Sequence, residues 1–177
     1  KGTLDAVLDA VFIFAPDDWR FLYVNQGASL LIGYTREELG NMRPVDLLLD
    51  LHSMNERSAP LIVSGPLDKG VALAIQLGTP ATVISDEGHP QGRRMRDYAG
   101  FGDPASASNA LLIECGQHWE RQAVDIARDC TARFLLMAGV IEEADVPRGW
   151  LAPLPERMTV VRVTQPVVAK SIDFRFA

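Results

Sequence analysis

Residues 110–120 read Ala-Leu-Leu-Ile-Glu-Cys-Gly-Gln-His-Trp-Glu. Aliphatic residues in unbroken succession, closed by an acid and a glycine, suit a strand with apolar neighbours on both faces. The chain then changes period. Ala123, Ile126, Ala127, Cys130, Phe134 and Met137 recur at three- and four-residue steps, which predicts one face of a helix over about 118–138, ended by Gly139. Upstream, Leu47-Leu48-Leu49-Asp50-Leu51 reads as a second strand buried on both faces, and Pro60–Val63 and Ala81–Ile84 as shorter strands. Ser64-Gly65-Pro66 marks a helix start, because a proline in the first turn gives up an amide that has no partner anyway; Gly78 closes that helix after Leu77. Strands alternating with helices predict an α/β layer architecture: a mostly parallel or mixed sheet with flanking helices.

Both ends differ in texture. Val11–Phe14 and Arg20–Asn25 are strand-like and flank the turn cluster Ala15–Asp18, which predicts a hairpin. A short helix over Gly27–Ile32 follows. Thr35 with Glu38 three residues later is a capping-box pattern that opens another short helix, closed by Gly40. Pro147, Pro153 and Pro155 mark a linker, and the β-rich runs Met158–Thr164 and Val167–Ala169 predict the opening of a separate β unit. Between Ser85 and Asn109 the pattern is irregular. Structureless loops of this length are uncommon in compact domains and are often functional.

A chain of 177 residues is one ordinary domain or two small ones. With 47% hydrophobic and 23% charged residues it has globular composition. No apolar run approaches the ~20 residues of a bilayer span, so no membrane is expected, and no secretion signal is visible. The net charge of -6 argues against a general nucleic-acid binder, which needs a basic face. Two cysteines are too few for a disulfide scaffold and favour a reducing cytoplasmic setting.

Three groups of residues stand out chemically. His52 falls just past a buried strand, where α/β folds place ligands, and Asp50 lies on the same side of the extended chain; the plainer reading is a polar strand terminus. Glu114 ends an aliphatic strand, where an acid is costly unless paired, solvated or functional. It suits a general base, or equally a salt-bridged strand end. Arg93, Arg94 and Arg96 gather three guanidinium groups in four residues, suited to carboxylates or phosphates, or to a solvated loop. Cys115 and His118 have a chelating spacing that seldom makes a site alone, and Cys130 fits packed core. Walker, dinucleotide, Gly-x-Ser-x-Gly and His-Glu-x-x-His patterns are absent.

Six stretches in order resemble the succinylglutamate desuccinylase/aspartoacylase family, a branch of the zinc carboxypeptidase-like hydrolases. They are Leu-Asp-Leu-His-Ser-Met (49–54), Pro-Leu-Ile-Val-Ser-Gly-Pro (60–66), Gly-Arg-Arg-Met-Arg-Asp-Tyr (92–98), Phe-Gly-Asp-Pro (101–104), residues 110–120 and Lys-Ser-Ile-Asp-Phe-Arg-Phe-Ala (170–177). Residues 4–47 resemble the front of a PAS sensory domain, through Val-Phe-Ile-Phe (11–14), Phe-Leu-Tyr-Val-Asn-Gln-Gly-Ala (21–28) and Gly-Tyr-Thr-Arg-Glu-Glu-Leu (33–39). Together they imply a partial PAS-like segment (1–47), a partial hydrolase-like α/β core (48–150) and the start of a C-terminal β unit (151–177).

The hydrolase resemblance implies one Zn2+, held by a His-x-x-Glu motif and a later His matched by His52, with Glu114 at the position of the catalytic Glu. Such a site hydrolyses the amide bond of N-acyl amino acids or similar small carboxylates. The zinc polarises the carbonyl, the Glu moves a proton from water to the leaving amine, and arginines hold the substrate carboxylate. Arg93, Arg94 and Arg96 all qualify for that last role. Yet none of the three histidines, His52, His89 and His118, has a Glu three residues later, and none precedes His52. Two of three protein ligands are therefore missing, and the chain by itself is expected to be inactive. The alternatives are a PAS-like sensory or interaction module and an inactive recombinant segment. The expected partner is a small carboxylate-bearing substrate, with a homo-oligomer as a further possibility.

Overall fold

The computed structural model describes residues 11–14, 21–32, 35–41, 46–88, 92 and 94–165. Two sheets are present. β1 (Phe12–Phe14) and β2 (Phe21–Val24) form an antiparallel pair. β3 (Leu47–Met54), β4 (Leu61–Val63), β5 (Thr82–Ser85), β6 (Asn109–Gln117) and β7 (Thr159–Arg162) form a five-stranded mixed sheet in the order β3-β6-β4-β5-β7. The described helices are α1 (Gln26–Ile32), α2 (Arg36–Asn41), α3 (Asp68–Leu77) and α4 (Arg121–Met137).

β6 organises the larger sheet. It runs parallel to β3 and antiparallel to β4, so β3 and β6 point one way and β4, β5 and β7 the other. Its residues alternate between faces. Leu111, Ile113 and Cys115 join Ile62 and Val83 in a core completed by Leu73, Ala74 and Leu77 of α3 and Ala123, Cys130 and Phe134 of α4. Ala110 and Leu112, also buried, point the other way. There, two 3-10 turns, Met95–Asp97 and Ala99–Gly102, pack against β6. The segment that reads as an irregular loop thus supplies the second layer, which explains why β6 is aliphatic at successive positions.

Three expectations change. β3 is longer than predicted and is not buried on both faces: as an edge strand, its Leu51 is 42% exposed. β7 does not open a unit of its own; it pairs in parallel with β5, from Thr82↔Thr159 to Ser85↔Arg162. α3 starts after Leu67, later than the Ser64-Gly65-Pro66 signal suggests, because Gly65 is in the left-handed region at φ 68 and turns the chain before the helix begins. Val167–Ala169 and the block 170–177 lie outside the described residues.

The N-terminal unit has its own small core, Val24 and Ala28 with Phe12 and Phe21 packed against them. Asn25 ties the hairpin to α1. Its side-chain oxygen accepts from the amides of Val11 and Ala28, both at 2.9 Å, so it bridges β1 and caps the helix. The Thr35–Glu38 capping box is present: the Thr35 amide donates to Glu38 Oε2 at 2.7 Å, and the Glu38 amide to Thr35 Oγ1 at 3.2 Å.

Candidate functional site

β3 and β6 bring His52 and Glu114 together. They are register partners on adjacent parallel strands, so their side chains leave the same face at a strand spacing of about 4.8 Å. Both sit near the C-terminal ends of their strands. His52 Nε2 lies 3.1 Å from Asp50 Oδ1, a contact that the two-residue spacing allowed but did not establish. The His52 side chain is 48% exposed. Glu114 is the unusual member: its Oε2 is buried without a hydrogen-bond partner. A buried carboxylate oxygen without a hydrogen-bond partner is costly to keep.

A second pair closes the same end of the sheet. Ser53, one residue on and so on the opposite face, has its Oγ 2.6 Å from His118 Nδ1, and the His118 amide donates to Met54 O at 2.9 Å. His118 therefore pins the end of β6 to the end of β3, a role its position before the helix did not reveal. The buried thiol of Cys115 is pushed up to about 11, by burial first and then by the Glu114 charge. Cys115 and Cys130 are both free thiols within the core.

Arg94 and Arg96 lie elsewhere. Arg93 and His89 fall outside the described residues. Arg94 is an internal strut: its Nη1 donates to Asp86 Oδ1 at 2.6 Å and its Nε to Asp97 Oδ2 at 2.7 Å. Burial opposes its charge, but the hydrogen bonds and charges of Asp97 and Asp86 outweigh burial and leave its pKa raised. Arg96 is 1% exposed, and burial pulls its pKa down against the charge of Asp97. Its guanidinium lies over Gly65, where an added Cβ would meet Nη1 at 1.3 Å; glycine there is a requirement of close approach as well as of φ.

The register gives the separation. Leu61 is level with Glu114, and β4 then runs away from that end toward Gly65. The Arg96 guanidinium is thus on the order of 10 Å from Glu114 along the sheet. Of the predicted carboxylate-binding arginines, the two described ones, Arg94 and Arg96, do not converge with the His52–Glu114 pair.

Sequence reasoning passed over Lys69. Its ammonium donates to the backbone carbonyls of Gly100, Asp103, Ser106 and Ser108 at 2.6–3.1 Å and gathers the loop onto α3. A lysine inside a helix carries no signal of this; only the lack of regular pattern in residues 99–108 hinted that something must hold them.

The zinc implied by the family resemblance can be tested against these donors. His52 and Glu114 face one another, but His52 Nε2 is engaged by Asp50, and no group of three or more His, Cys, Asp or Glu able to hold a metal is found among the described residues. A catalytic zinc keeps three protein ligands. The described residues do not fit a complete site.

The geometry defines a mixed α/β sheet with a polar His–Glu pair at one end, preceded by an antiparallel hairpin and short helices. A family model described as a PAS domain matches residues 2–62, and the front of the chain is PAS-like. That match runs beyond residue 47, the boundary expected from the sequence, through β3 and into β4. No curated protein matches the chain. A solved apo structure, the ectoine utilization protein EutE (DoeB) from Ruegeria pomeroyi, is similar at 15% identity and a TM-score of 0.45, over 90% of this chain and 47% of that one. The chain therefore spans less than half the length of that protein.

Proposed function

We propose that the α/β part is built on the plan of a zinc-dependent hydrolase of N-acyl amino acids or similar small carboxylates, and that it carries the general-base side of such a site without the ligands to complete it. The observation behind this reading is the pairing of His52 with Glu114 across β3 and β6, with Glu114 Oε2 buried and unpartnered. In this arrangement Glu114 is the proton acceptor for a water held between the two strand ends, and the donor to the departing amine. His52 is the imidazole set beside Glu114 to share that water or ligate a cation, His118 being held by Ser53, and Asp50 orients the His52 ring.

The test is amide hydrolysis by the full chain, with zinc added, on a panel of N-acyl amino acids. The expected result is no turnover above that of Glu114→Gln. Turnover that is lost in both Glu114→Gln and His52→Ala would show a complete site and overturn the incomplete-site reading.

A second reading rests on the PAS-domain match over residues 2–62: the N-terminal hairpin and helices serve as a ligand- or partner-binding module. Among the described residues the antiparallel sheet of this part has two strands, and β3, though inside the match, pairs with β6. This reading predicts that a ligand for the module shifts resonances of Phe12, Phe21 and Val24. Shifts confined to β3–β7 would contradict it.

A further inference from the structure

Ser53 and His118 form a polar pair on the face of β3 opposite to His52. Both side chains are exposed, and Ser53 Oγ lies 2.6 Å from His118 Nδ1. The side-chain contact is not needed to clamp the strand ends, because the His118 amide already donates to Met54 O. An exposed hydroxyl and an exposed imidazole gain little by exchanging water for one another. A β-bulge creates the pairing. Between the register pairs His52↔Glu114 and Met54↔Gln117, the two residues Cys115 and Gly116 stand opposite Ser53 alone. Gly116 takes φ 111, a value that favours glycine. Bulges re-aim side chains and are over-represented beside active sites. This one turns the end of β6 so that the His118 ring meets Ser53.

With the imidazole proton on Nε2, the Ser53 hydroxyl donates to Nδ1, the arrangement that activates a serine nucleophile. Exposed apolar side chains flank the pair. Leu51 lies two residues before Ser53 and so on the same face of β3. Trp119 is 90% exposed, and its ring stands edge-on to His118 with centroids 6.4 Å apart. We propose that Ser53 is a nucleophile, with His118 as its general base, that takes acyl groups from esters of small apolar acids. Ser53 Oγ bonds to the ester carbonyl carbon as its proton passes to His118 Nδ1. The bond from that carbon to the alcohol oxygen then breaks, and the departing oxygen takes the proton from His118. Water attacks the acyl-serine in the same way, which releases the carboxylic acid and restores the hydroxyl. The pair is independent of His52 and Glu114, which use the other face of the sheet, and the proposal does not rest on the hydrolase reading.

The probe is p-nitrophenyl butyrate with the full chain, followed by release of p-nitrophenolate and by mass spectrometry of acid-quenched protein. Release above the buffer rate is expected, with a butyryl group on Ser53. Ser53→Ala is expected to abolish both. His118→Ala is expected to slow release about a hundredfold, the scale of general-base catalysis, and added imidazole to recover about tenfold of it. A His118 that only held the strand end would not be rescued in this way, so the rescue decides the matter even where Ser53→Ala loosens that end. Release unchanged in Ser53→Ala, a butyryl group found only on lysines, or failure of imidazole to rescue His118→Ala would overturn the proposal. Release without a Ser53 adduct and abolished by a chelator would belong to a metal site and would overturn it as well.

Discussion

Lys69 shows how much one side chain can organise. Four carbonyls around a single ammonium hold residues 100–108 against α3, although burial lowers its pKa from the ordinary lysine value. Lys69→Met keeps the aliphatic stem but strands those carbonyls, and is expected to cost about 2 kcal/mol in urea unfolding, on the scale of hydrogen bonds to charged groups. Cost indistinguishable from zero would mean that water replaces the ammonium freely. The core thiols give a pH prediction. Burial raises Cys115 to about 11 and Cys130 to about 12, from 9.0. Above pH 9 the unfolded chain releases thiol protons that the folded chain still holds, so their contribution is fully present below pH 9 and is lost as pH rises toward 11–12. Stability should therefore fall more steeply between pH 8 and pH 10 in the wild type than in Cys130→Ala; equal slopes would contradict the burial argument.

Element by element, legibility tracked how local the cause was. The unbroken aliphatic run of β6, the three- and four-residue period of α4 and the Thr35–Glu38 capping box are set by residues near in sequence, and each was readable before the fold was known. β3 was readable as a strand but not as an edge, because pairing depends on a partner 62 residues away, as in Leu47↔Asn109. The same holds for β7, whose place beside β5 follows from long-range register. Asn25 lies between these cases. It looked like the last residue of a strand, yet its side chain caps α1 and bridges to Val11. Asn25→Ala is expected to destabilise the hairpin–helix unit by about 1–2 kcal/mol. Amide exchange should report it: the Val11 and Ala28 amides should lose protection, while those of β6 keep theirs. Equal loss in both places would mean that the N-terminal unit and the five-stranded sheet unfold as one.

On the scale of the whole molecule, the antiparallel step between β6 and β4 matters most. It sends β4 and β5 away from the end where β3 and β6 finish, and so carries Arg94 and Arg96 to one end of the sheet and leaves His52 and Glu114 at the other. No spacing rule in the sequence exposes such a reversal. His52 and Glu114 could be picked from the sequence as residues at strand ends; that they face one another required the register, and that Arg94 and Arg96 stand apart required the strand directions. The central proposal is that, among the described residues, the end where β3 and β6 finish sets His52 beside the Glu114 carboxylate, with His118 held by Ser53, and does not make a full metal site. It is tested most directly by following the three histidine side chains by NMR while zinc is added to the full chain. The expected result is a weak, fast-exchanging shift at His52, abolished in Glu114→Gln, with no tight 1:1 complex. A stoichiometric slow-exchange complex, or a titration that leaves His52 unmoved, would contradict it.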